Sequence, residues 1–256
     1  DIFLFASGND TGEDATLQGR ITAIRALLQF LMLPLLGGAA DVVGRKPILL
    51  LSYVSSALEF GLLAFFGTHL KFIWLTRCMS ALMDASLTVP YAVIADLSKR
   101  AEPLDVKKSQ RLLVHSNGLT GAAFGLSFII GPALGGFLFS VFGLNGVFGC
   151  TAAVMGVCSI ITFAFIRESI PQSRRRSRIL WEDITPFIGF GILGKDRKTF
   201  LLSTSQSLYK LSYGAYGLWV LYVRQVLDWT PFEASIFLSW VGVLMALNQG
   251  FLLRVV

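Results

Sequence analysis

The sequence predicts an all-α protein that crosses a membrane several times. Three observations predict it: an apolar composition, apolar runs of spanning length, and basic residues gathered on alternate connections. Hydrophobic residues make up 54% of the 256 and charged residues 15%, against about 45–50% and about 25% in a soluble domain. A spanning helix needs about 20 mostly apolar residues. Runs of that kind lie at 21–40, 46–67, 70–97, 112–142, 145–166, 199–224 and 231–253, which is about seven complete spans.

Asp1-Ile2-Phe3-Leu4-Phe5 reads as the tail of an earlier span. The sequence shows no initiator methionine and no leader with a basic start and a small-residue cleavage site, and it stops just after Arg254. It therefore reads as incomplete at both ends. Cys78, Cys150 and Cys158 all sit inside apolar runs, where cysteine behaves as a small hydrophobe. With two histidines and no spaced ligand set, neither a metal site nor a cofactor is expected.

Connections on the cytoplasmic side of a membrane collect Lys and Arg. One alternate set holds Arg45 and Lys46, then Lys99, Arg100, Lys107, Lys108 and Arg111. It continues with Arg167, Arg174, Arg175, Arg176, Arg178, Lys195, Arg197 and Lys198, and ends with Arg254. The opposite set holds only Arg20, Arg25, Lys71 and Arg224, leaving Arg77 and Lys210 inside spans. The rich set is expected in the cytoplasm, and residues 6–19 on the far face. A cytoplasmic loop accounts for Arg174-Arg175-Arg176 without nucleic acid, and such a cluster also attracts anionic lipid headgroups.

The polar stretch 167–198 follows the sixth span and divides the chain into a first bundle, 1–166, and the start of a second, 199–256. Within it, Trp181 to Ile192 is either a surface amphipathic helix or an ordinary loop.

The connection between the second and third spans reads Gly37-Gly38-Ala39-Ala40-Asp41-Val42-Val43-Gly44-Arg45-Lys46-Pro47. Gly44 permits a sharp turn, and Asp41, Arg45 and Lys46 fall where the apolar runs end. This resembles the G-x-x-x-D-x-x-G-R-K motif of the major facilitator superfamily, a family of twelve-span secondary transporters. Val42 departs from it, since many relatives carry a basic residue there. The resemblance implies a major facilitator type helical bundle in which Asp41 and Arg45 hold a cytoplasmic gate closed. It also implies that Asp96, at the cytoplasmic end of the fourth span, pairs with the arginine.

The fifth span carries Gly118, Ser127, Gly131, Pro132, Gly135 and Gly136. Small residues let membrane helices pack closely, and proline deprives the carbonyl four residues earlier of its donor. The array resembles the fifth-span antiporter motif of tetracycline-efflux-like drug/proton antiporters, with Ser127 in place of a glycine.

Arg77 and Asp84 lie inside the fourth run, where a charge costs roughly 2.5–3.5 kcal/mol unless paired or watered. Leu75-Thr76-Arg77 resembles the start of the family's fourth-span motif, whose arginine is linked to proton coupling; Ala81 replaces a usual glycine. Asp84 reads either as a cavity acid or as a neutraliser of Arg77, two turns away on the same face. Glu59 is a further intramembrane acid, open to a packing reading. Tyr209, Lys210, Tyr213 and Tyr216 in the seventh span form a candidate substrate-facing stripe, with snorkelling of Lys210 as the competing account.

These readings together predict a secondary transporter of a small organic solute, coupled to protons and working by alternating access. Its partners are the bilayer, the solute and protons. A transporter-like accessory subunit with membrane-complex partners is the alternative. No nucleotide loop, metal constellation or nucleophile paired with histidine supports an enzyme.

Overall fold

The computed structural model describes residues 11–67, 69–101, 103–179, 184–185, 187, 196–215 and 219–252. The apolar tail expected at 1–5, most of the 181–192 stretch and Tyr216 lie outside them. The described secondary structure is helical throughout. The helices are α1 (Thr11–Val43), α2 (Arg45–Phe66), α3 (Leu70–Met83), α4 (Thr88–Ala101), α5 (Val106–Phe165), α6 (Arg197–Ala215), α7 (Trp219–Leu227) and α8 (Pro231–Leu252).

Among the described residues, four helical stretches are long and apolar enough to cross a membrane: Gly19–Val43, Arg45–Phe66, Lys71–Ala101 and Val106–Phe165. In these stretches only 11–28% of the most apolar residues are buried inside the protein. Phe65, Ile160 and Phe163 are exposed, as lipid-facing side chains are. The span expected at 199–224 coincides with α6 and α7, which lie on either side of residues 216–218, outside the described residues. Helix α8, at 22 residues, covers nearly all of the span expected at 231–253.

Three boundaries differ from the sequence reading. Helix α1 is already formed at Thr11, the first described residue, so the described part of the expected far-face loop is helical, and Arg20 and Arg25 lie within α1 rather than in a connection. The expected break between 142 and 145 is a single residue, Gly143, at φ 65°, inside α5. That left-handed backbone suits glycine, and it divides α5 into arms 106–142 and 144–165. Conversely, the run at 70–97 is interrupted, because α3 stops at Met83 and α4 restarts at Thr88.

The fourth-span break is sealed by side chains from other helices. Ser52 of α2 is fully buried. Its Oγ donates to a carbonyl, Met83 O at 2.9 Å or Ile48 O at 3.0 Å, and accepts from Ala85 N at 2.9 Å. Asp84 Oδ1 accepts from Ser86 N at 3.1 Å and Ser86 Oγ at 2.6 Å, a local turn of the kind short acidic side chains form. The apolar core lies in two clusters. Leu36, Ala40, Ile48, Leu49, Ala85 and Val89 pack beside the break, and Ile21, Leu63, Ile73 and Phe148 pack at the other end of α1 to α3 and α5.

Ser52→Ala strands the buried Ala85 N–H, a loss of about 1–3 kcal/mol. A lower thermal unfolding midpoint in detergent is expected. Ser207→Ala, on exposed α6 and bonded only to its own turn, leaves the midpoint unchanged.

Candidate functional site

At the end of the bundle that carries the basic residues, Gly44 joins α1 to α2 at φ 122°, a backbone that other residues rarely adopt. The first N–H groups of a helix lack internal partners. Here Glu168, from the segment after α5, supplies them: Oε1 accepts from Arg45 N at 2.9 Å and Oε2 from Lys46 N at 3.2 Å. The carboxylate sits so close over Gly44 that an added Cβ would collide with it. Gly44 is therefore required twice, by its dihedral and by this contact.

Arg45 then turns back along the interface. Its Nη2 pairs with Asp41 Oδ1 at 2.7 Å and its Nε with Asp96 Oδ2 at 3.3 Å. Residues 166–176 form a strap across this pair. Ser169 Oγ donates to Asp96 Oδ2 at 3.4 Å, Arg176 N donates to Asp41 O at 3.1 Å, and Arg176 Nε lies 3.8 Å from Asp41 Oδ2. Lys46 faces elsewhere: its Nζ donates to Phe163 O at 2.7 Å, a cation closing the C-terminal end of α5. Gly37 has nothing within 4 Å of an added Cβ, so its smallness admits no neighbour here.

Deeper in the bundle the charges pair between helices. Arg77 Nε lies 3.2 Å from Glu59 Oε1, and Glu59 is almost completely buried. No aligned hydrogen bond forms at that oxygen, so the contact is Coulombic. Asp84 Oδ2 lies 3.6 Å from Arg25 Nη2 and accepts from Gln29 Nε2 at 3.3 Å. The reading of Asp84 as Arg77's neutraliser is thus corrected: each has another partner. Seven residues of helix rise about 10 Å, beyond pairing distance, and Asp84 has left the helix altogether.

In the glycine-rich arm of α5, an added Cβ on Gly136 would lie 2.8 Å from Ser235 of α8. Gly242 of α8 comes against the α5 backbone, 2.8 Å from Phe128 O by the same measure. Phe128 O is the carbonyl that Pro132 deprives of its donor. Gly118, Gly131 and Gly135 face open space, and Ser127 Oγ bonds its own turn at Ala123 O, 2.8 Å. In α6, Tyr209 is exposed, and Lys210 and Tyr213 lie on the helix.

The profile of the Major Facilitator Superfamily matches residues 2–256. The chain belongs to this superfamily. Hippocampus abundant transcript 1 protein of Homo sapiens is 28% identical over 244 residues, 93% of this chain and 47% of that protein. Tetracycline resistance protein, class H, of Pasteurella multocida is 28% identical over 236 residues, 92% of this chain and 56% of that protein. The chain thus spans about half the length of the curated relatives it matches. The crystal structure of the human organic anion transporter MFSD10 (TETRAN) shares the fold, with a TM-score of 0.68 at 20% identity over 96% of this chain and 58% of that one.

This member of the superfamily holds its Asp41–Arg45–Asp96 cluster with residues that sequence reasoning missed. Glu168 and Ser169 lay in what read as a basic loop, yet one acid among many cations directly after an apolar run was a usable signal. Arg25 and Gln29, one turn apart on α1, were hidden because Arg25 was counted as a loop residue. Among the described residues no group of three metal-ligating side chains occurs.

Glu168→Ala strands two helix N–H groups, whereas Glu168→Gln keeps one acceptor. The expected order of thermal stability in detergent is wild type, then Gln, then Ala, the last lower by about 1–3 kcal/mol. Gly44→Ala is expected to be at least as damaging as Glu168→Ala, from strain and collision together.

Proposed function

We propose that this protein is a secondary active transporter that moves a small organic solute across the membrane by alternating access, in antiport with protons. Superfamily membership supports a transporter rather than an enzyme, and two similar proteins are named for tetracycline resistance and organic anion transport. In this reading residues 1–166 belong to the first bundle, 167–198 to a cytoplasmic connection and 199–256 to the start of the second bundle. The basic end faces the cytoplasm, as the excess of Lys and Arg there argues.

The observation that carries the reading is the broken fourth span, with Asp84 in the break held by Arg25 and Gln29, and the Glu59–Arg77 pair about two turns away. Discontinuous helices near mid-membrane are where transporters of this kind hold ions and substrates. Glu59 and Asp84 are carboxylates that a proton would neutralise. Protonating either leaves its arginine unpaired in the membrane, at roughly 2.5–3.5 kcal/mol, a cost relieved when the arginine finds a new partner. Proton binding and helix movement are coupled in this way. At the basic end, Asp41, Arg45 and Asp96 serve as the gate, whose ion pairs hold in one state and part in the other. The Gly136–Ser235 and Gly242–Phe128 approaches supply the close seam between bundles, and the α6 face carrying Tyr209, Lys210 and Tyr213, with Tyr216 beyond it, is assigned to the solute path.

The full chain in proteoliposomes, tested against tetracycline and a set of organic anions with an imposed pH gradient, is expected to drive uphill movement. Arg77→Ala and Asp84→Asn are each expected to abolish uphill transport while leaving insertion intact. Uphill transport at the wild-type rate in both variants would remove these residues from the mechanism.

A further inference from the structure

A cavity of about 270 Å³ opens at the basic end between the last turn of α4 and the strap. That is several times the ~30 Å³ share of one liquid water. Lys99 and Arg100 of α4, Arg174 and Arg176 of the strap, and the Asp41–Arg45–Asp96 cluster line it. Five cations thus face two carboxylates, an excess of three positive charges. The C-terminal end of α4 offsets only about half a charge, so more than two remain.

The distribution of partners matters as much as the total. Arg45 is spent on Asp41 and Asp96, and Arg176 shares Asp41. Arg100 Nη2 donates to the neutral carbonyl of Ser169 at 2.7 Å, which orients its guanidinium without discharging it. Lys99 and Arg174 form no ion pair among the described residues. Lys99, Arg100 and Arg174, from two elements some seventy residues apart, therefore converge on one concave space with no ion pair to a carboxylate among the described residues. Arginine forks match phosphate oxygens in pairs, and lysine adds a point charge.

We propose that this cavity is a binding site for a phosphate-bearing anion, held between Lys99 and Arg100 on one side and Arg174 on the other. The cavity lies where α4 leaves its apolar stretch, at the depth of lipid headgroups, so a phospholipid phosphate and a soluble phosphate ester both fit the chemistry. A phosphate seated there joins the strap to α4 and adds to the bonds that already hold the strap over Asp41 and Asp96.

The test uses the full chain in nanodiscs of phosphatidylcholine with and without a minor fraction of phosphatidic acid. One readout is the phosphatidic acid retained on purification, measured by mass spectrometry. The other is thermal stabilisation by glycerol 3-phosphate in the neutral discs. The pair Lys99→Gln/Arg174→Gln is compared with Lys107→Gln/Arg178→Gln, which removes the same charge outside the cavity. Retention at least tenfold lower in the first pair than in the second is expected, and Arg174→Lys is expected to retain most of the binding. Stabilisation by glycerol 3-phosphate that the first pair abolishes assigns the site to soluble esters as well; lipid retention without it assigns the site to headgroups. Equal losses in both pairs, or no retention and no stabilisation in the unaltered protein, would overturn the proposal. If the double variant does not fold, Lys99→Gln and Arg174→Gln alone decide it by the same comparison. Neither readout needs transport, so a protein that failed to pump would still test the site.

Discussion

A backbone N–H or C=O inside a bilayer has no water to turn to, and each break in a membrane helix must therefore be closed by protein. The rest of this structure is arranged around that constraint. At Gly44 the exposed N–H groups of α2 are taken by Glu168. At the fourth-span break, Ser52 and Asp84 take the freed groups of residues 83 to 86. Near the end of α5, Phe163 O is taken by Lys46. The side chains that cross between helices most often do so where a helix has been interrupted.

The same constraint decides how charges are carried. An isolated charge in the membrane is expensive, and four charges described deep in the bundle each have a partner on a different element: Glu59 of α2 with Arg77 of α3, and Arg25 of α1 with Asp84 in the break. Pairs between helices differ from pairs along one helix in what they can report. A pair within one helix survives any rigid movement of that helix, whereas a pair between helices is altered when either one shifts. Charges distributed this way tie the pairing of each carboxylate to the relative positions of two elements.

Much of the fold was legible because hydrophobic length and basic-residue placement are properties of single segments. The four long apolar stretches and the turn at Gly44 follow from composition, from glycine and from the edges of apolar runs. The breaks were harder. Nothing in Met83-Asp84-Ala85-Ser86 announces a helix stop as proline or paired glycines would, because the break is stabilised by Ser52, thirty-odd residues earlier in the chain. Gly143 shows the opposite failure. A break between two separate spans was expected, and one left-handed residue inside a continuous helix stands in its place. For the candidate site, the sequence named Asp41, Arg45, Asp96 and Arg77 from their motifs but could not supply Glu168 or Arg25 as partners, since long-range pairing leaves no mark on local spacing.

The strap makes the basic end a single mechanical unit. Glu168 caps α2, Ser169 reaches Asp96 and Arg176 reaches Asp41, so residues 168 to 176 touch both carboxylates that hold Arg45 as well as the helix that carries it. Moving the strap away would strand two N–H groups on α2 and weaken both sides of the arginine at once, while parting Arg45 from its acids alone would leave the cap in place. For the gate proposed at this end, the less costly path of opening therefore keeps Glu168 on α2 and lets α4, with Asp96, separate from α2 and the strap together. The bonds that must break are then the three between that unit and α4: Arg45 to Asp96, Ser169 to Asp96, and Arg100 to Ser169. All three are polar and partly buried, worth on the order of 1 kcal/mol each, so the seam is weak enough for a modest bias of helix position to part it in the proposed gate.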